Sequence, residues 1–129
     1  MVCGSWVKGI LGVPELTDQL IKEECLTKFT IIPSLKSKNV VQVACGQYHT
    51  MCLLKNRTVY QWGEICEKII EKPEVVKALK KKKTLRIGCG CNYSAVVTKK
   101  GGVYTWGMNG FDDRKYIGML GQGVCDSVP

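Results

Sequence analysis

Between Val40 and Gly63 the chain reads VVQVACGQYHTMCLLKNRTVYQWG, and between Leu85 and Gly107 it reads LRIGCGCNYSAVVTKKGGVYTWG. Cys45 and Cys89, Gly46 and Gly90, Tyr60 and Tyr104, Trp62 and Trp106, and Gly63 and Gly107 each stand 44 residues apart, so the two copies align without a gap. Laying Thr30–Gly63 on Glu74–Gly107 adds Leu35/Leu79, Lys36/Lys80, Lys38/Lys82, Lys55/Lys99 and Val59/Val103 to the identical pairs. A period of this length with several short apolar runs per unit marks a propeller blade or a solenoid rung.

Each copy spells short antiparallel strands joined by tight turns. In the first copy Val40–Ala44 alternates, with Val41 and Val43 on one face, and Thr50–Leu54 and Val59–Trp62 follow. The turn between them, Lys55–Thr58, contains Asn56, a residue suited to the left-handed conformation. The second copy repeats the order with Val75-Val76, Leu85–Ile87, Ser94–Thr98, a turn at Lys99–Gly102 and Val103–Trp106; Gly101-Gly102 is a hairpin signal. Upstream, Thr30–Leu35 reads as a brief strand that Pro33 confines to a sheet edge. Pro14–Cys25 reads as a loop with a helical turn. Residues 1–12 read as the tail of another repeat, with Cys3-Gly4 standing where Trp62-Gly63 stands later.

The totals bound the rest. At 129 residues the chain has the length of one domain, enough to bury a real core. The net charge of +8 admits an acidic partner, such as nucleic acid, anionic lipid or an acidic protein face, without selecting one. The eight cysteines would suit a disulfide framework in a secreted chain, but the opening residues lack the pattern of a secretion signal and no apolar run reaches membrane-span length. The expectation is an intracellular protein, cytoplasmic or nuclear, with free thiols packed as small apolar groups. The acceptor triplets at Asn56 and Asn92 are then chance.

Val-Ala-Cys-Gly-x-x-His-Thr-x-x-Leu followed by Val-Tyr-x-Trp-Gly resembles the repeat of the regulator of chromosome condensation family. The family's next motif, Trp-Gly-x-Asn-x-x-Gly-x-Leu-Gly-x-Gly, is similar to Trp106–Asn109 followed by Gly118–Gly123. The resemblance implies an all-β fold, an incomplete β-propeller of antiparallel blades of the chromosome-condensation-regulator type, divided as 1–29 (partial repeat and linker), 30–73 (repeat) and 74–129 (repeat with a loop insertion). Departures are specific: Gly110–Ile117 puts eight residues where the family's pattern has two, an insertion of six, the glycine-rich half after Trp62-Gly63 is replaced by Glu64–Lys72, and Tyr93 stands where the first copy has His49. The resemblance implies a seven-bladed ring, which three partial repeats do not close. Open terminal blades expose apolar faces and strand edges, so the expectation is a piece of a larger propeller, a truncated product, or a unit that pairs with another chain.

Candidate sites are few. His49, the only histidine, lacks a marked nucleophile or carboxylate partner, and the resemblance implies a structural ring hydrogen-bonded inside its blade. Cys89-x-Cys91 with Cys45 and Cys52 lacks zinc-type spacing, so no metal and no cofactor are expected. The glycines at Gly118–Gly123 precede no Lys-Ser/Thr and are turn residues, not a phosphate loop. Two features differ between the copies and are the candidate partner-binding residues: the run Lys80, Lys81, Lys82 and Lys83, and Phe111, Arg114 and Tyr116 of the insertion.

The leading expectation is a non-enzymatic protein-interaction module, with weak nucleic-acid or anionic-surface binding through Lys80–Lys83. The resemblance also implies two alternatives: a guanine-nucleotide exchange factor for a small GTPase, and the substrate-recognition part of a HECT-type ubiquitin ligase. No catalytic residue of this chain can be assigned for either.

Overall fold

A computed structural model of the chain describes residues 1–5, 7–14, 25–108 and 118–121. Nine strands are found among them, in three antiparallel sheets. β1 (Val2–Ser5) pairs with β2 (Cys25–Thr30). β3 (Val40–Cys45), β4 (His49–Leu54), β5 (Val59–Ile65) and β6 (Lys68–Val75) form a four-stranded meander. β7 (Thr84–Cys89), β8 (Tyr93–Thr98) and β9 (Val103–Gly107) form a three-stranded one. The sheets stack as successive blades of a propeller whose ring is not closed.

The repeated glycines explain the repeated turns. Gly63 and Gly107 hold φ of +94° and +117°, as does Gly4 at +112°, so β1 occupies the place in its blade that β5 and β9 occupy in theirs. A Cβ on Gly63 would collide with the backbone of Tyr48 and His49, where β5 meets β4. At the other conserved glycine, a Cβ on Gly46 would strike the His49 ring, and one on Gly90 would strike the Tyr93 ring. The ring three residues on folds back over the glycine, which is why His and Tyr can exchange at this place while the glycine stays.

Two cores lie between the blades, one on each side of the second. Leu11, Val13, Ile32, Cys52, Leu54, Trp62 and Ile70 pack between the first and second blades. Met51, Leu53, Val59, Leu79, Ile87 and Val96 pack between the second and third. All six residues of β4 are buried because the strand feeds both cores: Cys52 and Leu54 point back, Met51 and Leu53 point forward.

Three expectations are corrected. Thr30–Leu35 is not a strand: the strand ends at Thr30, and Pro33–Leu35 is a 3-10 turn matched by Lys77–Leu79 one repeat on. The segment after Trp62-Gly63 is not merely a replacement loop but continues β5 and returns as β6 through a tight turn at Cys66-Glu67, both at positive φ. In the Lys55–Thr58 turn it is Arg57, at φ +72°, that takes the left-handed conformation; Asn56 instead accepts a hydrogen bond from Thr58 N–H on Oδ1.

Thr84 is fully buried, and its hydroxyl has no hydrogen-bond partner among the described residues. The first copy carries Val40 at this place. A buried hydroxyl left unpaired costs roughly 1–3 kcal/mol. Thr84→Val is therefore expected to raise stability by about 1 kcal/mol, read as a higher urea midpoint with unchanged slope.

Candidate functional site

The meander directs the chain's basic residues to one rim. β3 and β7 start there, β4 and β8 end there, and the turns into β5 and β9 lie there. The rim segments are 33–39, 55–58, 76–83 and 99–102. They carry Lys36 and Lys38, Lys55 and Arg57, Lys77 and Lys80–Lys83, and Lys99 and Lys100, with no Asp or Glu. Backbone hydrogen bonds hold the segments side by side: Lys55 N–H donates to Asn39 C=O at 2.8 Å, and Lys99 N–H donates to Lys83 C=O at 2.7 Å. Two blades thus present one continuous basic edge, and all these side chains are exposed except that of Lys38, which is half-buried.

The Lys80–Lys83 run divides into two kinds of lysine. Lys82 Nζ sits 5.0 Å from the centroid of the Tyr104 ring, and Lys38 Nζ sits 5.6 Å from that of Tyr60. The Lys38/Lys82 and Tyr60/Tyr104 identities are therefore one repeated cation–π contact that covers the turn into the third strand of each blade. Lys82 belongs to the fold, whereas Lys80, Lys81 and Lys83 extend the free rim. Phe111, Arg114 and Tyr116 lie outside the described residues; the chain reaches Met108 at the opposite rim. Lys36, Lys55, Arg57, Lys99 and Lys100 were not singled out from sequence, although Lys36/Lys80 and Lys55/Lys99 are among the identical pairs.

His49 and the cysteines have structural occupations. His49 bonds not within its own blade but across the seam, Nε2 lying 3.0 Å from Ser94 Oγ of the third blade. Burial lowers its pKa, so the ring stays neutral at neutral pH. Cys89 donates to Ala44 C=O at 3.4 Å and Cys91 to Gln47 Oε1 at 2.7 Å, both also across that seam. Burial pushes the Cys52 thiol up to about 11 and the Cys89 thiol up to about 12, which keeps both protonated and unreactive. Among the described residues no three His, Cys, Asp or Glu side chains gather as a metal site, and the described cysteines are free thiols. No described helix is long and apolar enough to cross a membrane.

This architecture defines a propeller-type repeat protein. Residues 40–64 match the sequence profile of the regulator of chromosome condensation (RCC1) repeat. The matched segment lies within the second blade, over β3, β4 and most of β5. Protein RCC1 of Candida albicans is 40% identical over 48 residues, covering 37% of this chain and 10% of that protein. The probable E3 ubiquitin-protein ligase HERC4 of Homo sapiens is 45% identical over 42 residues, covering 33% of this chain and 4% of that protein. The match thus spans a small part of each relative. Among solved structures, Prp20p from Saccharomyces cerevisiae superposes with a TM-score of 0.68 at 20% identity, covering 89% of this chain and 32% of that one. Human WBSCR16 superposes with a TM-score of 0.64 at 20% identity, covering 82% and 28%. Both likenesses establish the fold.

The buried His49 ring has a pH signature. The folded pKa lies below the unfolded value near 6.5, so the unfolded chain binds the proton more tightly. The stability gained by burying the neutral ring is complete above that value and drains away as pH falls through the folded pKa. Melting temperature is expected to decline as pH is lowered below neutrality, and His49→Gln is expected to flatten that part of the curve. An unchanged pH slope in the variant contradicts the assignment.

Proposed function

We propose that the chain is a non-enzymatic binding module whose basic rim holds an acidic face of a protein partner. The observation that carries this reading is the rim itself: Lys and Arg from four separate segments converge on one edge with no carboxylate among them. Such an edge raises encounter rates with acidic surfaces and gives them a preferred orientation. The compartment in this reading is intracellular, cytoplasmic or nuclear. Nucleic-acid phosphates are the competing anion, and they make a different, counterion-driven demand on the same lysines. Phe111, Arg114 and Tyr116 are proposed as a second set of partner contacts, from the residue types alone.

A second reading has a specific observation behind it. The HERC4 similarity supports a substrate-recognition piece of a ubiquitin ligase, in which the rim would select acidic substrates. Exchange on a small GTPase rests on the fold shared with Prp20p, a protein whose binding to Gsp1p and histones has been studied.

The test compares the protein with a variant carrying Lys80→Ser, Lys81→Ser and Lys83→Ser, Lys82 being kept for its Tyr104 contact. A fluorescent acidic peptide and a DNA duplex are titrated at about 50 and about 200 mM salt. The reading expects peptide binding that salt weakens and that the variant weakens about tenfold, with an unchanged melting temperature. Equal binding by protein and variant, or binding to DNA alone, removes the proposal. Lys82→Ser alone is expected instead to lower stability by about 0.5–1 kcal/mol through the lost cation–π contact.

A further inference from the structure

The two halves of the basic rim differ in one chemical respect. The second blade contributes segments 33–39 and 55–58, and the third contributes 76–83 and 99–102. Hydroxyl side chains occur only in the first pair, as Ser34, Ser37 and Thr58. One repeat on, the same places hold Ala78, Lys81 and Gly102. Every rim position that can take up a phosphate therefore lies in the second blade.

Ser37 stands apart from the other two. It is exposed, between Lys36 and Lys38, in the loop that enters β3. Ser34 sits inside the 3-10 turn, between Pro33 and Leu35. Thr58 is half-buried, and both its backbone groups are engaged: its N–H donates to Asn56 Oδ1 at 3.1 Å, and its C=O accepts from Leu54 N–H at 2.9 Å. Around Ser37 the loop is held by two turn bonds, from Lys36 N–H to Pro33 C=O at 3.2 Å and from Lys38 N–H to Leu35 C=O at 3.0 Å. Residues 36–38 lie in no strand, so they open without breaking a sheet. The turn carrying Lys55 and Arg57 is fastened alongside, Lys55 N–H donating to Asn39 C=O at 2.8 Å. Ser37 is thus an accessible hydroxyl with cations on both sides in the chain and more on the adjoining segment.

We propose that Ser37 is a phosphorylation site for a basic-directed protein kinase, and that its phosphate closes the second blade's half of the rim to acidic partners, an inference that rests on the rim being a surface for such partners. In the transfer, Ser37 Oγ attacks the γ-phosphorus of ATP. The new ester bond replaces the bond from that phosphorus to the bridging oxygen, ADP leaves, and the hydroxyl proton passes to the kinase's catalytic carboxylate. The rim's chemistry serves twice. An acidic kinase cleft selects a hydroxyl flanked by lysines, and the same cations then offset the phosphate. A phosphoserine carries about −2 charges at neutral pH. The second blade's half holds four cations, Lys36, Lys38, Lys55 and Arg57, so about half of its charge is cancelled. The third blade's half, with Lys81 at the place of Ser37, keeps its charge. The switch therefore weakens binding without abolishing it.

The test has two arms, both on the full chain. In the first, the folded protein is incubated with ATP and a protein kinase selective for serines flanked by lysine, and phosphopeptides are mapped by mass spectrometry. Phosphate is expected at Ser37, absent in Ser37→Ala and retained in Ser34→Ala and Thr58→Ala. No phosphate on Ser37, or phosphate there only after unfolding in urea, overturns the proposal. In the second arm, the chain is produced with phosphoserine incorporated at position 37 and titrated with the fluorescent acidic peptide. Its affinity is expected to be about tenfold weaker than that of the unmodified chain, at unchanged melting temperature, with Ser37→Asn binding as the unmodified chain does. Equal binding by the phosphorylated and unmodified chains overturns this inference and leaves the rim reading standing. No binding by the unmodified chain removes the rim reading and this inference with it.

Discussion

The pair of hydrogen bonds between the Gln42 carboxamide and the Ile87 backbone is the constraint on which the blade stack depends. β3 and β7 are each the first strand of a meander, so each presents an edge of backbone groups with no strand beside it. Left dry and unpaired, such groups cost about as much as the contacts around them contribute. A carboxamide has the same donor and acceptor as a peptide unit and can close one rung without a strand. That rung sets how far the third blade sits from the second. The His49–Ser94 and Gln61–Trp106 bonds follow at the same separation, each reaching one residue beyond the repeat period. The apolar centre between them, Met51, Leu53, Val59 and Val96, is essentially sealed from water.

The same seam chemistry organises the surfaces where function is proposed. A blade fixed by its neighbour holds its loops at a fixed pitch, so basic side chains recurring along the sequence become a basic edge in space. The repeat also separates two kinds of lysine. Those that recur above a tyrosine, Lys38 and Lys82, cover a turn, and those around them face solvent. On the other side of the second blade, Val43, the counterpart of the buried Ile87, is exposed among the described residues.

Much of this was legible in the sequence, and what was not has identifiable causes. The inner three strands of each copy follow from alternating apolar residues between turn residues, and the paired Cys-Gly and Trp-Gly positions marked the blade. β6 was missed because Lys68–Val75 carries Pro73 and is bounded by a turn at Cys66-Glu67, two residues that rarely take positive φ. β2 was displaced because its exposed, mixed residues carry little signal, while Ile31, Ile32 and Leu35 look like a strand and instead close a 3-10 turn. His49 was assigned to its own blade because nothing in a single repeat shows which side chains cross to the next. Of the candidate site, Lys80–Lys83 was visible as a run, but its joining to Lys99, Lys100, Lys55 and Arg57 needed the meander, which brings turn and entry loop to one rim.

Hydrogen exchange of the backbone amides tests the seam most directly. If the Gln42–Ile87 rung couples the blades, the amides of β4 and β8 open together in one cooperative step, and Gln42→Ala lowers protection in both by the same factor while β1 and β2 change little. Independent opening of the second and third blades, with protection of β8 unaffected by Gln42→Ala, would contradict the account.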